Sequence, residues 1–462
     1  MLAMGLFAAP APAAQPTSPQ KYRDLARAVY AELIGIDTSV ASGDSLLAAR
    51  AMAERLRAAG FPEADITVLE SAPRKGNLIV RLRGTGKRRP LLLLAHLDVV
   101  EARREDWSLP PFELTERDGW FYGRGTIDDK QMAAAFVVNL VRLREERAVL
   151  DRDLILALTA DEEIGGKLGV QWLLANHRGL IDAELAINEG GPGVIQGGRY
   201  AANQVQAAEK IIQSYRLEIR NPGGHSSLPV PDNAILRLSR ALARLGEAQF
   251  PFELDDVNRA YFERTAATLA GPIAQDMRAI LVSDPDPAAI ARVAAANPYY
   301  NARMRTTCIP TMLEAGHAEN ALPQTARAIV NCRALPGWTE TRLRAALVAA
   351  LADDGIAVEP SGTHFIASPA SPLTAEVMGV LERVTAQMWP GLPVIPIMSA
   401  GATDGRYLRN AGIAVYGTSG AFTDVEDNRM HGRDERLAAR SFNESLEYLY
   451  RLTKGLARPP RR

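Results

Sequence analysis

Residues 153–166 read DLILALTADEEIGG and join an apolar run to three consecutive carboxylates. The run at 153–160 is rich in Leu and Ile and predicts a buried strand. The glycines that follow allow the chain to turn sharply as it leaves a sheet. Adjacent carboxylates repel each other and resist desolvation, so a fold that gathers Asp161, Glu162 and Glu163 has to compensate their charge, most commonly with a cation. For an isolated DEE the alternative is a solvated acidic loop, so the rest of the chain decides between the two.

Other apolar runs of the chain end in the same way. LLLLAHLDVV (91–100) carries His96 and Asp98 where the run gives out, and ELAINEGG (184–191) carries Glu189. Predicted helices alternate with these strands, which indicates an α/β domain with a mainly parallel sheet. In such sheets the functional loops lie beyond the carboxyl ends of the strands. We therefore expect these side chains to meet at one edge of the sheet.

A second pattern begins near residue 212. Alternating strands and amphipathic helices follow in the order βαββαβ, a ferredoxin-like plan, with a less regular and mostly helical stretch at 250–302. We predict an inserted lid or dimerisation domain at 212–363. The catalytic domain then comprises 21–211 and 364–462.

Length and composition limit the class of protein. A chain of 462 residues, 47% hydrophobic and 23% charged, predicts a soluble protein with more than one core. The net charge of −1 offers no basic surface for nucleic acid, and no apolar run is long enough to span a membrane. Residues 1–20 are small and apolar and include Ala11-Pro12-Ala13, the form of a signal-peptide cleavage site. We expect a signal-peptide remnant and an exported bacterial protein, periplasmic or secreted; the alternative is a disordered tail on a cytosolic protein.

The chemistry-bearing side chains suit a metal pair. They are His96, Asp98, Asp128, Glu162, Glu163, Glu189 and His431. Nitrogen and carboxylate ligands without thiolate favour zinc, with cobalt or manganese as alternatives. Two histidines and three carboxylates suffice for two metals if one carboxylate bridges them. Asp98 is placed to orient the His96 ring from behind.

The ordered segments AHLDVV, GRGTIDDK, TADEEIGG, NEGG, GGHSSLP, ENALP, GATDGRYL and MHGRDER resemble the dinuclear zinc peptidase family. That family contains carboxypeptidase G, aminoacylase, carboxypeptidase S, succinyl-diaminopimelate desuccinylase and carnosinase. The resemblance runs from about residue 25 to 455 and specifies the family more closely than the substrate.

The resemblance implies a role for each matching residue. Asp128 bridges two zinc ions; Glu163 and His431 complete one site, and His96 and Glu189 the other. Glu162 is the general base that moves a proton from the bridging water to the leaving nitrogen. The Asp128–Asp129 peptide is expected to be cis, as in the matching family loop.

The substrate-binding residues are also implied by the resemblance. His225 stabilises the tetrahedral oxyanion with Asn320 beside it, and Arg333 grips the substrate carboxylate. The loop with Gly401 and Thr403 contacts the same end of the substrate. In the family the lid domain pairs with its twin, which predicts a homodimer in which His225 and Asn320 enter the partner's cleft.

We therefore predict a metal-dependent hydrolase that cleaves an amide bond next to a free carboxylate in a small peptide or an N-acyl amino acid. Glu at position 189 favours a carboxypeptidase or aminoacylase, because dipeptidases of the family often carry Asp there. The alternatives are a carnosinase-type dipeptidase and an inactive binding protein on the same scaffold, although an inactive copy has no chemical reason to retain Glu162.

The chain has two cysteines, Cys308 and Cys332. Both lie in predicted strands placed symmetrically about residue 320, so an antiparallel pairing sets them opposite each other. In an oxidising compartment they could form a disulfide.

Overall fold

The computed structural model describes residues 17–228, 230–362 and 365–458. Most of the predicted leader (residues 1–16) lies outside these ranges. The described residues form a larger sheet of ten strands, a smaller sheet of four strands, a three-stranded sheet and a two-stranded pair, and the chain passes from the larger sheet to the smaller one and back. None of the helices in these ranges is long and apolar enough to cross a bilayer.

The first segment of the chain builds most of the larger sheet. Its elements are α1 (Gln20–Gly35), α2 (Ser45–Ala58), β1 (Ile66–Ala72), β2 (Lys75–Leu82), β3 (Leu91–His96), β4 (Thr115–Arg117), β5 (Trp120–Tyr122), α3 (Lys130–Glu145), β6 (Leu154–Thr159), α4 (Val170–Asn176), α5 (Arg178–Ile181), β7 (Leu185–Asn188), β8 (Gly193–Gln196) and β9 (Arg199–Glu209).

The middle segment builds the smaller sheet and a helical excursion. Its elements are β10 (Ile211–Arg220), β11 (Gly224–His225), α6 (Ala234–Glu247), α7 (Asp256–Thr268), α8 (Pro272–Ala279), α9 (Pro287–Ala296), α10 (Pro298–Met304), β12 (Thr307–Ala315), β13 (Ala321–Leu322), β14 (Thr325–Ala334), α11 (Glu340–Leu351) and β15 (Ala357–Ser361).

The last segment returns to the larger sheet. Its elements are α12 (Ala375–Met388), β16 (Val394–Ser399), α13 (Gly405–Asn410), β17 (Ala414–Gly417), β18 (Phe422–Asp424), β19 (Arg436–Ala438) and α14 (Ala439–Leu456). The three-stranded sheet has the order β19-β5-β4, and the two-stranded pair is β11-β13.

The larger sheet has the strand order β1-β2-β6-β3-β7-β17-β9-β8-β18, with β16 beside β9. Its centre is parallel, because β3 pairs in parallel with β6 and β7, and β7 with β17. Every residue of β3 and β6 is buried, as their apolar runs require, and α3 is buried from Lys130 to Leu143. The predicted α/β class with a mainly parallel central sheet is confirmed.

The parallel register decides where the site forms. His96 at the end of β3 is level with Thr159 at the end of β6. The DEE turn follows Thr159 directly, and Glu189 follows β7 on the other side of β3. Three chemistry-bearing loops therefore leave one edge of the sheet side by side.

The smaller sheet is antiparallel, with the order β12-β14-β10-β15. Helices α6 and α11 share its core, so the βαββαβ plan is present between Ile211 and Ser361. The predicted boundaries at 212 and 363 stay a prediction. Helices α7–α10, which lie between them in sequence, form an apolar cluster with β9 and β16 of the larger sheet, where Phe262 and Met277 contact the cluster that contains Ile395 and Ile397. The reason is that alternate apolar residues of β16 point to one face, and that face has to be covered.

Cys308 and Cys332 are directly opposite each other in β12 and β14 and form a disulfide, with their Cα atoms 4.0 Å apart. The predicted pairing is confirmed. The bond ties the outer strand β12 to the strand that carries Arg333.

Candidate metal centre

The three carboxylates of the DEE turn are held in a fixed geometry. Asp161 adopts a left-handed conformation with φ 72°, and Glu162–Ile164 forms a single 3₁₀ turn. The Asp98 carboxylate accepts hydrogen bonds from the backbone N–H groups of Glu162 and Glu163, both at 3.1 Å. The turn is therefore anchored to the loop after β3, which argues against a solvated acidic loop.

Asp128 lies between two histidines. Its Oδ1 is 2.8 Å from His96 Nε2, and its Oδ2 is 3.1 Å from His431 Nε2. His431 Nε2 is also 3.2 Å from Glu163 Oε2, and His96 Nε2 is 3.9 Å from Glu189 Oε2. One carboxylate thus joins two half-sites, each with one histidine and one glutamate.

Burial and the contacts within this cluster shift the pKa values of its members. Hydrogen bonds to Asp128 and Glu163 raise the pKa of His431 to about 10. Burial raises the pKa of Glu189 well above its usual range, and the nearby Asp128 carboxylate adds to the effect. Burial also tends to raise the pKa of Asp128, but the two histidine contacts outweigh it and hold that pKa well below its usual range.

The residues fit a pair of divalent cations. Ligand atoms of His96, Asp128 and Glu163 all lie within 4.8 Å of one another, and so do those of His96, Glu162 and Glu189. Glu163 Oε1 is buried without a hydrogen-bond partner. Imidazole and carboxylate donors suit zinc, cobalt or manganese, and both cysteines are engaged in the disulfide. A cation at each half-site would give the buried carboxylate oxygens, Glu163 Oε1 among them, a positive partner.

The His96 ring contacts a different oxygen of Asp98 from the one that was expected. Its Nδ1 lies 2.9 Å from the backbone oxygen of Asp98, whereas the Asp98 carboxylate is 3.8 Å away. The carboxylate is occupied by the N–H groups of the DEE turn. Asp98 therefore orients the ring through its carbonyl and the glutamates through its side chain.

The loop that carries Asp128 is shaped by a buried ion pair that sequence reasoning missed. The Asp128–Asp129 peptide is cis, as predicted. The Glu435 carboxylate accepts hydrogen bonds from the N–H groups of Gly125 (3.0 Å) and Ile127 (2.6 Å) and from Arg124 Nη1 (2.6 Å). Arg124 Nη2 also donates to the carbonyl oxygens of His431 (3.3 Å) and Gly432 (3.1 Å). The pair thus connects the loop that carries Asp128 with the loop that carries His431.

A cleft of about 780 Å³ opens beside the candidate metal centre, and Arg333, Gly401 and Thr403 line it. Arg333 Nη1 donates to the Ala400 carbonyl at 3.1 Å, and its Nε donates to Asn331 Oδ1 at 3.0 Å. The guanidinium is therefore fixed to the same loop as Gly401.

A second buried carboxylate that the sequence did not reveal, Glu209, holds that loop. Its Oε2 accepts from the Thr403 N–H at 2.7 Å, and its Oε1 pairs with Arg409 at 2.5 Å. Asp404, which follows Thr403 in the loop, is buried, and neither of its carboxyl oxygens has a hydrogen-bond partner. Burial raises the pKa of Asp404 to about 7.

His225 and Asn320 are brought together but do not line this cleft. His225 on β11 pairs with Ala321 on β13, and the backbone oxygen of Asn320 accepts from the Ser226 N–H at 3.0 Å. The His225 ring is exposed, with its Nδ1 2.8 Å from Ser227 Oγ. The two residues therefore form a separate exposed group on the middle segment.

Known protein families, sequences and structures similar to this chain agree with this architecture. The family model described as peptidase family M20/M25/M40 matches residues 92–455. The N-fatty-acyl-amino acid synthase/hydrolase PM20D1 of Xenopus tropicalis is 30% identical over 376 residues, which cover 79% of this chain and 72% of that protein. The probable carboxypeptidase S-like 2 of Dictyostelium discoideum is 27% identical, with 79% and 72% covered. The M20 family metallo-carboxypeptidase Sso-CP2 of Sulfolobus solfataricus superposes with a TM-score of 0.67 at 17% identity and covers 94% of this chain and 99% of its own.

Proposed function

Because the chain belongs to peptidase family M20/M25/M40, we propose that it is a two-metal hydrolase that cleaves an amide bond next to a free carboxylate. Its substrates are then those of a carboxypeptidase or of an N-acyl-amino-acid hydrolase. The observation that carries the proposal is the position of Asp128, whose two oxygens face His96 and His431.

The proposed metal ligands form two sets around that carboxylate. Asp128, Glu163 and His431 would hold one cation, and Asp128, His96 and Glu189 would hold the other. When bound, the cations supply Lewis acidity toward the amide carbonyl and an activated water nucleophile. Zinc is the proposed metal, with cobalt or manganese as alternatives.

Glu162 is the proposed general base. Burial raises the pKa of Glu162 well above its usual range, and the Asp404 carboxyl adds to this. Its backbone N–H is held by Asp98, so the side chain leaves a fixed turn at the edge of the cleft. It accepts a proton from the attacking water and returns it to the leaving nitrogen.

The proposed grip on the substrate carboxylate comes from Arg333 and the loop at 401–403. A guanidinium can bind a carboxylate with two parallel hydrogen bonds, and backbone N–H groups add to them. This fixes the carboxylate end of the substrate and thereby the position of the scissile amide.

We also propose a homodimer in which His225 and Asn320 of one subunit complete the cleft of the other. Both are exposed and absent from the cleft lining of their own chain. The outer strand β12 offers a surface for pairing, since Ile309, Met312 and Leu313 are 60%, 67% and 63% exposed. A long, apolar outer strand readily pairs with another strand.

An exported location remains a proposal, supported by the disulfide, because such bonds persist mainly in oxidising compartments.

The test of function is hydrolysis of N-acyl amino acids and of dipeptides by the zinc-loaded protein. Cleavage of N-acyl amino acids or C-terminal residues supports the proposal. Exclusive cleavage of dipeptides would favour the carnosinase type, and no cleavage with metals bound would favour a binding protein.

A further inference from the structure

The two halves of the proposed carboxylate grip belong to different sheets. Arg333 is on β14 of the smaller sheet, and the loop at 401–403 follows β16 of the larger sheet. Strand β9 of the larger sheet ends at Glu209 and β10 of the smaller sheet begins at Ile211, so Lys210 is the single residue between them. Glu209 and Lys210 are therefore placed to contact both halves of the grip.

Glu209 contacts the half that belongs to the larger sheet. Its side chain is fully buried. Its Oε2 accepts hydrogen bonds from the Thr403 N–H at 2.7 Å and from Thr403 Oγ1 at 3.3 Å. Its Oε1 accepts from Arg409 Nη2 at 2.5 Å and from Ser368 Oγ at 3.1 Å. Hydrogen bonds to a buried charge are strong, so Glu209 fixes the position of Thr403 relative to the end of β9.

Lys210 connects the same loop to the smaller sheet. Its backbone N–H donates to the Ser399 carbonyl at 2.9 Å, just before the loop. Its buried Nζ donates to the Arg305 carbonyl at 2.8 Å and to Thr307 Oγ1 at 3.4 Å. Thr307 lies directly opposite Arg333 in the pairing of β12 with β14. Burial lowers the pKa of Lys210 to about 7, and the charge of Arg333 adds to this effect, so the two cations are close enough to interact.

We infer that Glu209 and Lys210 are positioning residues for the substrate carboxylate. Glu209 holds the loop at 401–403, Lys210 holds the strand opposite Arg333, and because the two residues are adjacent they set the separation of the guanidinium and the loop. This rests on the proposed function, in which Arg333 and the loop bind the carboxylate. Neither Glu209 nor Lys210 lines the cleft, so both act through these contacts.

The separation matters because a carboxylate is held well only when its donors converge on it. A guanidinium and backbone N–H groups bind the two oxygens in defined directions, and a displacement of about 1 Å is enough to weaken such an arrangement severely. Releasing either Glu209 or Lys210 should therefore reduce affinity for the carboxylate although neither residue touches it.

The test measures KM and kcat for a substrate with a free carboxylate and for the same substrate with an amidated carboxylate. Glu209→Gln keeps the side-chain shape and removes its charge, and Lys210→Met removes the ammonium. Each should raise KM for the free carboxylate about tenfold and leave kcat within about threefold, because the grip serves the ground state and the transition state alike. KM for the amidated substrate should remain that of the wild type.

Two more variants guard against a loss of folding. Ser368→Ala removes one hydrogen bond to Glu209 and should raise KM for the free carboxylate about two- to threefold. Glu447→Gln is the matched control, because it breaks another buried ion pair, with Arg142. It should lower the melting temperature and leave both KM values unchanged.

A double variant separates positioning from general structural support. Arg333→Met removes one half of the grip, so its separation from the loop no longer matters, and adding Lys210→Met should change KM by no more than about twofold. Wild-type KM in both Glu209→Gln and Lys210→Met, an equal rise in KM for the amidated substrate, or independent multiplication in the double variant would overturn the positioning role while the grip stands. If Arg333→Met alone leaves KM unchanged, the proposed grip fails, and the positioning role with it.

Discussion

The buried pair Arg124–Glu435 provides the sharpest test of how the metal centre is held. The side chains are 3% and 1% exposed, and their closest atoms are 2.6 Å apart. Glu435 also accepts hydrogen bonds from the backbone of the Asp128 loop, while Arg124 donates to the carbonyl oxygen of His431. Glu435→Gln keeps the shape of the side chain and removes its charge, so this substitution tests the ion pair with little change in packing.

Two effects follow from that substitution. Removing one partner of a buried ion pair leaves the other charge uncompensated and costs about 3–5 kcal/mol of folding free energy. For a chain of 462 residues the unfolding entropy is on the order of 1 kcal/mol/K, so the melting temperature should fall by about 3–5 °C. Because the Asp128 and His431 loops lose their common support, metal affinity should fall by about 10- to 100-fold.

The assay measures both quantities on the same variant. Metal affinity is obtained by competition of the apo protein with a chelator of known affinity, and stability by thermal unfolding. Glu447→Gln is the matched control, because Glu447 pairs with Arg142 at 2.8 Å with side chains only 3% and 10% exposed. Its other hydrogen bonds among the described residues are with Ser18 and Arg451, and neither is a proposed metal ligand. The control should lose stability but keep metal affinity. Wild-type metal affinity in Glu435→Gln, beside a clear loss of stability, would refute the coupling.

Three further predictions concern the reaction. Glu162→Gln should retain its metals and lose about 10²–10⁴ in kcat, since it removes the base but no ligand; near wild-type turnover would refute the assignment. Arg333→Met should raise KM for a substrate with a free carboxylate about 10- to 100-fold, because the variant loses a charge-assisted hydrogen bond. For the corresponding substrate with an amidated carboxylate, the variant and the wild type should have similar KM values. Homodimers of His225→Ala and of Glu162→Gln should each be nearly inactive. When the two variants are mixed and exchange subunits, half of the dimers contain one subunit of each kind and therefore one complete site. Activity should then return to at most about a quarter of that of the wild type. Background activity despite demonstrated exchange would rule out a contribution from the partner.

The positions of the metal-cluster residues could be predicted from the sequence because local signals mark them. Uninterrupted apolar runs identify β3, β6 and β7, and the parallel arrangement sets His96, Glu162 and Glu189 at one edge. The central position of Asp128 and its cis peptide were implied by the family resemblance, since no local pattern distinguishes a cis bond outside proline.

Other features depend on partners far apart in the chain. Arg124 and Glu435 are separated by 311 positions, and Glu209 and Arg409 by 200, so neither buried pair has a local signature. Helices α7–α10 follow strands of the smaller sheet in sequence but cover β16, because the apolar face of β16 is formed about 90 residues later in the chain. Sequence order alone does not reveal this packing.

Metal stoichiometry tests the central claim most directly. The protein is purified without chelator, reloaded with zinc and analysed for metal per chain, alongside Asp128→Asn. The account predicts close to two metals per chain in the wild type, and loss of both in the variant, because Asp128 faces both histidines. A firm value below one after reloading, or two metals still bound tightly by Asp128→Asn, would contradict a centre built around that carboxylate.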